Sequence, residues 1–217
     1  SFKIAAAAAL ATLASTVSAH GRLQTISASG TDYPGFSIWS NTNSDIIAWS
    51  DTVRDNGYVS DYSSPDMICH AGAANAKSAA PVNGGDTVSF KWDTWPSDHR
   101  GPVITYLAKC DGDCADADKA SLKWFKIDAV GLISGDSSSG LWASQKLVEN
   151  QFKWDVKIPD SIASGNYVAR HEIIALHNAN NYGGAQNYPQ CINLEIKSSG
   201  SDAVSYTHLR AHETDSY

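Results

Sequence analysis

His20 stands directly behind Val17-Ser18-Ala19, a small-residue stretch of the kind a signal peptidase cuts after. A cut after Ala19 makes His20 the first residue of the mature chain. Its free α-amine and its imidazole can then grip one metal ion together, closing a chelate ring that no internal histidine can form. A further neutral nitrogen has to come from elsewhere. His99 offers one in Trp95-Pro96-Ser97-Asp98-His99-Arg100-Gly101-Pro102, a loop between two strand-like runs. Loops hold reactive groups at the surface, so His99 is expected to be exposed there. Taken alone, it reads more readily as a solvated loop histidine.

The elements that must position these groups begin after a leader. Lys3 precedes an apolar run from Ile4 to Leu13, so residues 1–19 read as a secretory signal peptide. That run falls short of the ~20 residues a spanning helix requires. The expected protein is secreted and extracellular, with one domain over residues 20–202. Residues 203–217 carry no strand alternation and are expected to be a non-native or disordered tail. The formal charge of −7, with seven Trp and nine Tyr, argues against nucleic acid and against an anionic membrane. A neutral glycan suits that composition better, and the chain is expected to be a monomer.

Period-two alternation organises the domain. Val88, Phe90 and Trp92 alternate with Ser89 and Lys91; Phe152, Trp154, Val156 and Ile158 alternate with Lys153, Asp155 and Lys157; Ile192, Leu194 and Ile196 repeat the pattern. Turn-forming clusters such as Asn83-Gly84-Gly85-Asp86 separate the runs. Short strands of this kind predict an all-β fold: an immunoglobulin- or fibronectin-like antiparallel sandwich with long loops and little helix. There is no Gly-x-Ser-x-Gly elbow, phosphate-binding loop or Asn-x-Ser/Thr sequon.

Four cysteines in a secreted chain imply two disulfides, with more than one pairing open. Cys110 and Cys114 bracket the Asp111-Gly112-Asp113 turn and favour each other, which leaves Cys69 to Cys191. A Cys-x3-Cys metal clip is the alternative.

Three separated motifs are similar to a known family. His20-Gly21, the His99-Arg100-Gly101-Pro102 loop and the run from Arg170 to Cys191 together resemble the fungal lytic polysaccharide monooxygenases of auxiliary activity family nine, once filed among the glycoside hydrolases. The resemblance extends from His20 to about Ile196. It implies a copper ion bound by His20 and His99, with the phenol of Tyr188 as a distant oxygen, and His177 and Gln186 as residues that hydrogen-bond the oxygen species. Pro189 restricts Tyr188 to extended backbone, which helps aim its ring. Divalent copper heads the affinity order at nitrogen sites and tolerates a planar donor set, whereas zinc prefers a tetrahedron. The resemblance further implies oxidative cleavage of cellulose or a related β-1,4-glucan, an external electron donor with O2 or H2O2, and surface aromatics for the sugar faces. Trp39 is the main candidate for that last role and Tyr33 is nearby. The family's C-terminal segment, which normally adds another aromatic, is expected to be missing.

Competing chemistry is also available on paper. Glu172 and Asp98 are raw material for a carboxylate-dependent glycosidase, and a non-catalytic glycan-binding sandwich would explain the aromatics without any metal. The Arg170–His177 run brushes a zinc-protease His-Glu-x-x-His signature, but the second histidine falls too late and the context is strand. His70 and His171 read as structural.

Overall fold

The computed structural model describes residues 21–40 and 46–201. His20, the leader and the tail from residue 202 onward lie outside the described residues. Alternating sequences become strands as their periodicity demands. In chain order these are β1 (Leu23–Ala28), β2 (Thr31–Pro34), β3 (Ala80–Asn83), β4 (Thr87–Trp92), β5 (Val103–Lys109) and β6 (Trp124–Val130). They are followed by β7 (Leu132–Ser134), β8 (Leu141–Trp142), β9 (Lys153–Lys157), β10 (Gly165–Ala175) and β11 (Gln186–Lys197). One sheet runs β2-β1-β4-β9, a second runs β3-β11-β10-β5-β6, and β7-β8 form a small ribbon.

The two larger sheets face each other as a sandwich. Ile26, Phe90 and Trp92 from the first bury their side chains against Leu107, Ile173, Ile192 and Leu194 from the second. Each fully buried aliphatic or aromatic side chain of this kind contributes roughly 1.5–3 kcal/mol of transfer free energy. The antiparallel expectation holds for the named pairs with one exception: β3 runs parallel to β11, pairing Ala80 with Leu194 and Val82 with Ile196. A long connection joins those two strands, and a parallel pair needs such a crossover where a hairpin would not serve.

β11 is buried on both faces over most of its length. Tyr188, Ile192, Leu194 and Ile196 enter the sandwich core, while Cys191 faces a second apolar cluster with Trp49, Val168 and the Cys110–Cys114 pair. The segment from Ile46 to Ala76 covers that outer face and also caps the strand edge. Asn193 N–H donates to Ile47, Trp49 N–H to Cys191, and Val59 and Asn187 exchange backbone bonds. The cover is fixed covalently, because Cys69 bridges to Cys191; the second bridge joins Cys110 to Cys114. An otherwise open sheet edge is thereby blunted.

Helix is confined to α1 (Ala143–Glu149) and three single-turn 3-10 segments among the described residues. The Gln145 side chain accepts from the Trp142 backbone N–H at 2.9 Å, satisfying one amide at the start of α1. Ala143, Ser144 and Leu147 are its buried positions. Ser144 ties this helix to the loop that carries His99.

Candidate metal centre

The loop between β4 and β5 is held in a fixed shape by several independent bonds. Trp95 Nε1 donates to the His99 carbonyl at 2.9 Å, and Ser144 Oγ donates to the same carbonyl at 3.1 Å. Ser144 Oγ also accepts from the Gly101 N–H at 2.9 Å. A side chain on Gly101 would place its Cβ 1.8 Å from the Ile174 carbonyl oxygen, so only glycine lets the loop lie against the end of β10. Leu176 N–H then donates to Arg100 at 2.8 Å. This docking brings the second residue beyond β10, His177, over His99: the ring centroids are 3.8 Å apart and the planes 30° from parallel.

His99 is less exposed than a loop position suggests, with a side chain only 12% accessible. The covering ring of His177 is the reason. Asp98 Oδ1 sits 2.9 Å from His99 Nδ1. With Nδ1–H donating to that carboxylate, the lone pair of the neutral ring resides on Nε2, which is the arrangement a metal ligand requires. Asp98 is held below the ordinary carboxylate range, chiefly by this hydrogen bond. Burial and the neighbouring His99 both lower the pKa of His177, opposed by Asp98. A neutral His177 can accept or donate a hydrogen bond without adding charge beside a cation.

Tyr188 approaches from β11. Its position opposite Ile173 and the position of Gln186 opposite Ala175 put both side chains on one face of the strand. The phenol is 1% exposed and donates to Gln186 Oε1 at 2.9 Å. Burial, with a smaller contribution from Tyr58, drives the Tyr188 pKa upward, so the ring stays a neutral phenol. Trp95 lies between the two halves. Its indole is edge-on to Tyr188 at 5.0 Å and edge-on to His99 at 6.3 Å. Sequence reasoning misses both Trp95 and the pairing role of Asp98. Asp98 was legible from adjacency alone, since metal-bound histidines regularly share their second nitrogen with a carboxylate.

Among the described residues, no group of three or more His, Cys, Asp or Glu side chains could by itself hold a metal ion. His20, the other ligand the sequence leads one to expect beside His99, lies outside the described residues. Gly21 is pinned beside the same loop: a Cβ there would fall 1.9 Å from the Thr94 carbonyl oxygen, and Arg22 and Asp93 exchange hydrogen bonds at 2.8 and 2.9 Å. The donor types fit copper: the imidazole of His99 and the phenol of Tyr188, with no thiolate, since the four cysteines are consumed in disulfides.

The aromatic surface candidates separate. Trp39 is 73% exposed, lies under the Arg54 guanidinium at 5.6 Å, and lines a shallow depression that reaches Arg22 and Asp93. Tyr33 is half-buried, opposite Ile26 and packed against the core. Glu172 is buried on β10, where its carboxylate lies 3.9 Å from Arg170, whose own guanidinium reaches the Met67 carbonyl. Burial raises its pKa. It is closed off from any glycosidic bond, and Asp98 is engaged by His99, which leaves the carboxylate-glycosidase reading without its pair. His171 and Glu172 point to opposite faces of a strand, so the zinc-protease pattern is equally empty. His70 is buried, at φ +89°, and bonds to Gly57 and Ala71.

Comparison with known proteins gives consistent matches. The family model described as Auxiliary Activity family 9 (formerly GH61) matches residues 20–216. The AA9 family lytic polysaccharide monooxygenase A of Talaromyces pinophilus is 49% identical over 213 residues, covering 95% of this chain and 69% of that protein. The enzyme of the same name from Thermoascus aurantiacus is 48% identical over 204 residues, covering 90% of each. The corresponding Talaromyces verruculosus protein is spanned over 63% of its length. Among solved structures, the extended catalytic domain of H. jecorina LPMO9A superposes with a TM-score of 0.82 at 46% identity, covering 86% of this chain and 77% of that one.

Proposed function

Because the chain belongs to Auxiliary Activity family 9, the lytic polysaccharide monooxygenases, which cleave polysaccharides oxidatively, we propose that it cuts β-1,4-glucan, cellulose foremost, at a copper ion. The ion is held by the amine and ring of His20 after removal of residues 1–19, and by Nε2 of His99, with the Tyr188 phenol as a further oxygen. The observation that carries this reading is the convergence of His99, His177, Gln186 and Tyr188 on one end of the sandwich, beside the pinned Gly21.

Copper bound there supplies the electron-transfer chemistry: with two electrons and two protons from outside and O2, or with H2O2 alone, a C–H bond next to the glycosidic oxygen becomes C–OH, water leaves, and the weakened linkage opens by elimination. The protein's part is position and proton handling. Asp98 keeps the His99 ring in one tautomer and one orientation. His177, stacked on that ring, places a proton-exchanging nitrogen beside the reacting atoms. Gln186 accepts from Tyr188 through its side-chain oxygen, which orients its amide N–H2 group as a donor. Trp39 offers an exposed face against which a sugar ring can lie.

The test uses copper-loaded protein beginning at His20, incubated with cellulose in the presence and absence of ascorbate. Mass spectra should contain oxidised oligosaccharides only with the reductant. Ordinary reducing ends appearing without it would point to hydrolysis and overturn the proposal.

A further inference from the structure

Arg22 follows Gly21 and precedes Leu23, whose side chain enters the core at the start of β1. Alternation along the chain therefore aims Arg22 out of the sandwich. It does not end in water. Its side chain is only 14% accessible and that of Asp51, its partner at 3.2 Å, only 4%. The guanidinium is engaged on three sides: Nη1 donates to the two Asp51 oxygens at 3.2 and 3.4 Å, Nε to Asn56 Oδ1 at 2.7 Å, and Nη2 to the Val53 carbonyl. A planar fork satisfied at that many points holds one orientation, which a lysine ammonium on a flexible stem does not.

The acceptors are themselves fixed. Ser50 and Thr52, on either side of Asp51, donate their backbone N–H groups to Ala74 and Ala71, each at 3.0 Å, and the Val53 N–H donates to Asp51 Oδ1 at 2.9 Å. His70 Nε2 lies 3.1 Å from the Gly57 carbonyl, and Cys69 beside it is bridged to β11 through Cys191. The backbone of Arg22 is held as well, by its reciprocal bonds with Asp93, and Gly21 lies too close to Thr94 for a side chain. Chain ends are poorly ordered unless something ties them down. Here side chain and backbone tie one residue from two directions. Stability is a weak explanation for the arrangement, because a buried ion pair can often be exchanged for neutral groups of like volume without loss. What the pair supplies is a direction for the chain.

We infer that Arg22 is a positioning residue for the metal centre: its fork onto the 51–56 segment fixes the chain two residues behind the terminal amine, so that His20 alone has to be ordered when the ion binds. This rests on the reading of His20 and His99 as copper ligands. Two Cα steps of about 3.8 Å separate His20 from the anchor, which leaves its amine and ring little freedom. Each further residue left to be ordered on binding would cost on the order of tenfold in affinity.

The test compares protein starting at His20 with an Arg22→Met/Asp51→Asn variant, which removes the pair without stranding a buried charge and keeps an acceptor for the Val53 N–H. Without metal, the Tm of the variant should stay within about 4 °C of the parent, while the NMR order parameter of the Gly21 amide should fall from about 0.85 to below about 0.6. In competition titrations the Kd for Cu2+ should rise about tenfold or more. Arg22→Lys keeps a charge opposite Asp51 but has no fork to span Asn56 and Val53, so it should move both readings in the same direction with the ion pair intact. A Gly21 order parameter equal to the parent's, or a copper affinity within twofold of it, overturns the inference and leaves the metal reading standing. Failure of the metal reading shows differently: the parent itself binds no copper, which ends the metal role of Arg22 as well, while its ordering of the chain start is still read from Gly21.

Discussion

The imidazole of His177 covers that of His99, with centroids 3.8 Å apart and planes 30° from parallel. The contact exists because Gly101 lets the loop after β4 dock on the end of β10, and it sets the distance at which His177 can act. His177→Ala should leave the folded sandwich intact, since the ring sits outside β10. Oxidative turnover should fall about 10–100-fold, the range typical of residues that support a metal site from one shell out. Turnover within twofold of the parent, measured on cellulose with ascorbate, would remove His177 from the mechanism.

The sandwich was legible because half-buried strands announce themselves by period-two alternation, and Val88, Phe90 and Trp92 do enter the core as that pattern requires. β11 shows the limit. Its sequence, Gln186–Lys197, is buried on both faces, and the cover comes from residues 46–76, which no local period connects to it. The candidate site residues were named through the resemblance, but Trp95 was not. Its role as a wedge between His99 and Tyr188 depends on two elements meeting in space, and a tryptophan beside a proline carries no such signal.

Copper affinity should weaken steeply in acid. An α-amine has an unperturbed pKa of ~7.7–8.0 and must lose its proton to bind. Below that range each pH unit should cost up to about tenfold in apparent affinity from the amine alone. One extra residue ahead of His20 turns the amine into an amide, so it should both lower affinity and flatten the pH dependence. Competition titrations between pH 5 and 8 on the two forms read this directly. Identical curves would exclude amine ligation.

The two disulfides should differ in weight. Cys69–Cys191 spans 122 residues, against 4 for Cys110–Cys114, and in the chain-entropy model the longer loop is worth about 5 kcal/mol and the shorter about 2 kcal/mol. Replacing Cys69 and Cys191 by Ser also frees the segment that covers β11. At roughly 2–4 °C per kcal/mol for a chain of this size, the long bridge should lower Tm by more than 10 °C and the short one by less. Equal shifts in a thermal scan would mean the long bridge does not clamp the cover.

His171 should impose an acid limit on stability. It is fully buried, stacked on Phe90 at 4.2 Å and hydrogen-bonded to Thr105 at 2.8 Å, and burial lowers its pKa from 6.5 to about 3. As pH falls below 6.5 the unfolded chain takes up a proton that the native state refuses. Stability is therefore lost between about pH 6.5 and 3, at up to ~1.4 kcal/mol per pH unit from this group. His171→Phe fits the stacked position and should flatten that slope, at a cost at neutral pH of about 1–3 kcal/mol for the stranded Thr105 hydroxyl. Urea midpoints collected across this window decide the matter: parallel pH profiles for parent and variant would absolve His171.

Gly101 offers the sharpest test of how backbone packing builds the metal centre. An alanine there would drive its methyl into the Ile174 carbonyl at 1.8 Å, an overlap that no rotamer relieves because backbone stands on both sides. Either the loop or the end of β10 must move. Moving the loop carries His99 with it, since Trp95 and Ser144 both bond the His99 carbonyl; moving β10 carries His177. Overpacking of this kind costs about 1–3 kcal/mol, and the displaced donor should also weaken copper binding by an order of magnitude or more. Gly131→Ala is the control, because an added Cβ there meets nothing within 4 Å. If Gly101→Ala lowers Tm but binds copper as the parent does, the loop has yielded without moving His99, and the coupling between this packing contact and the metal site does not exist.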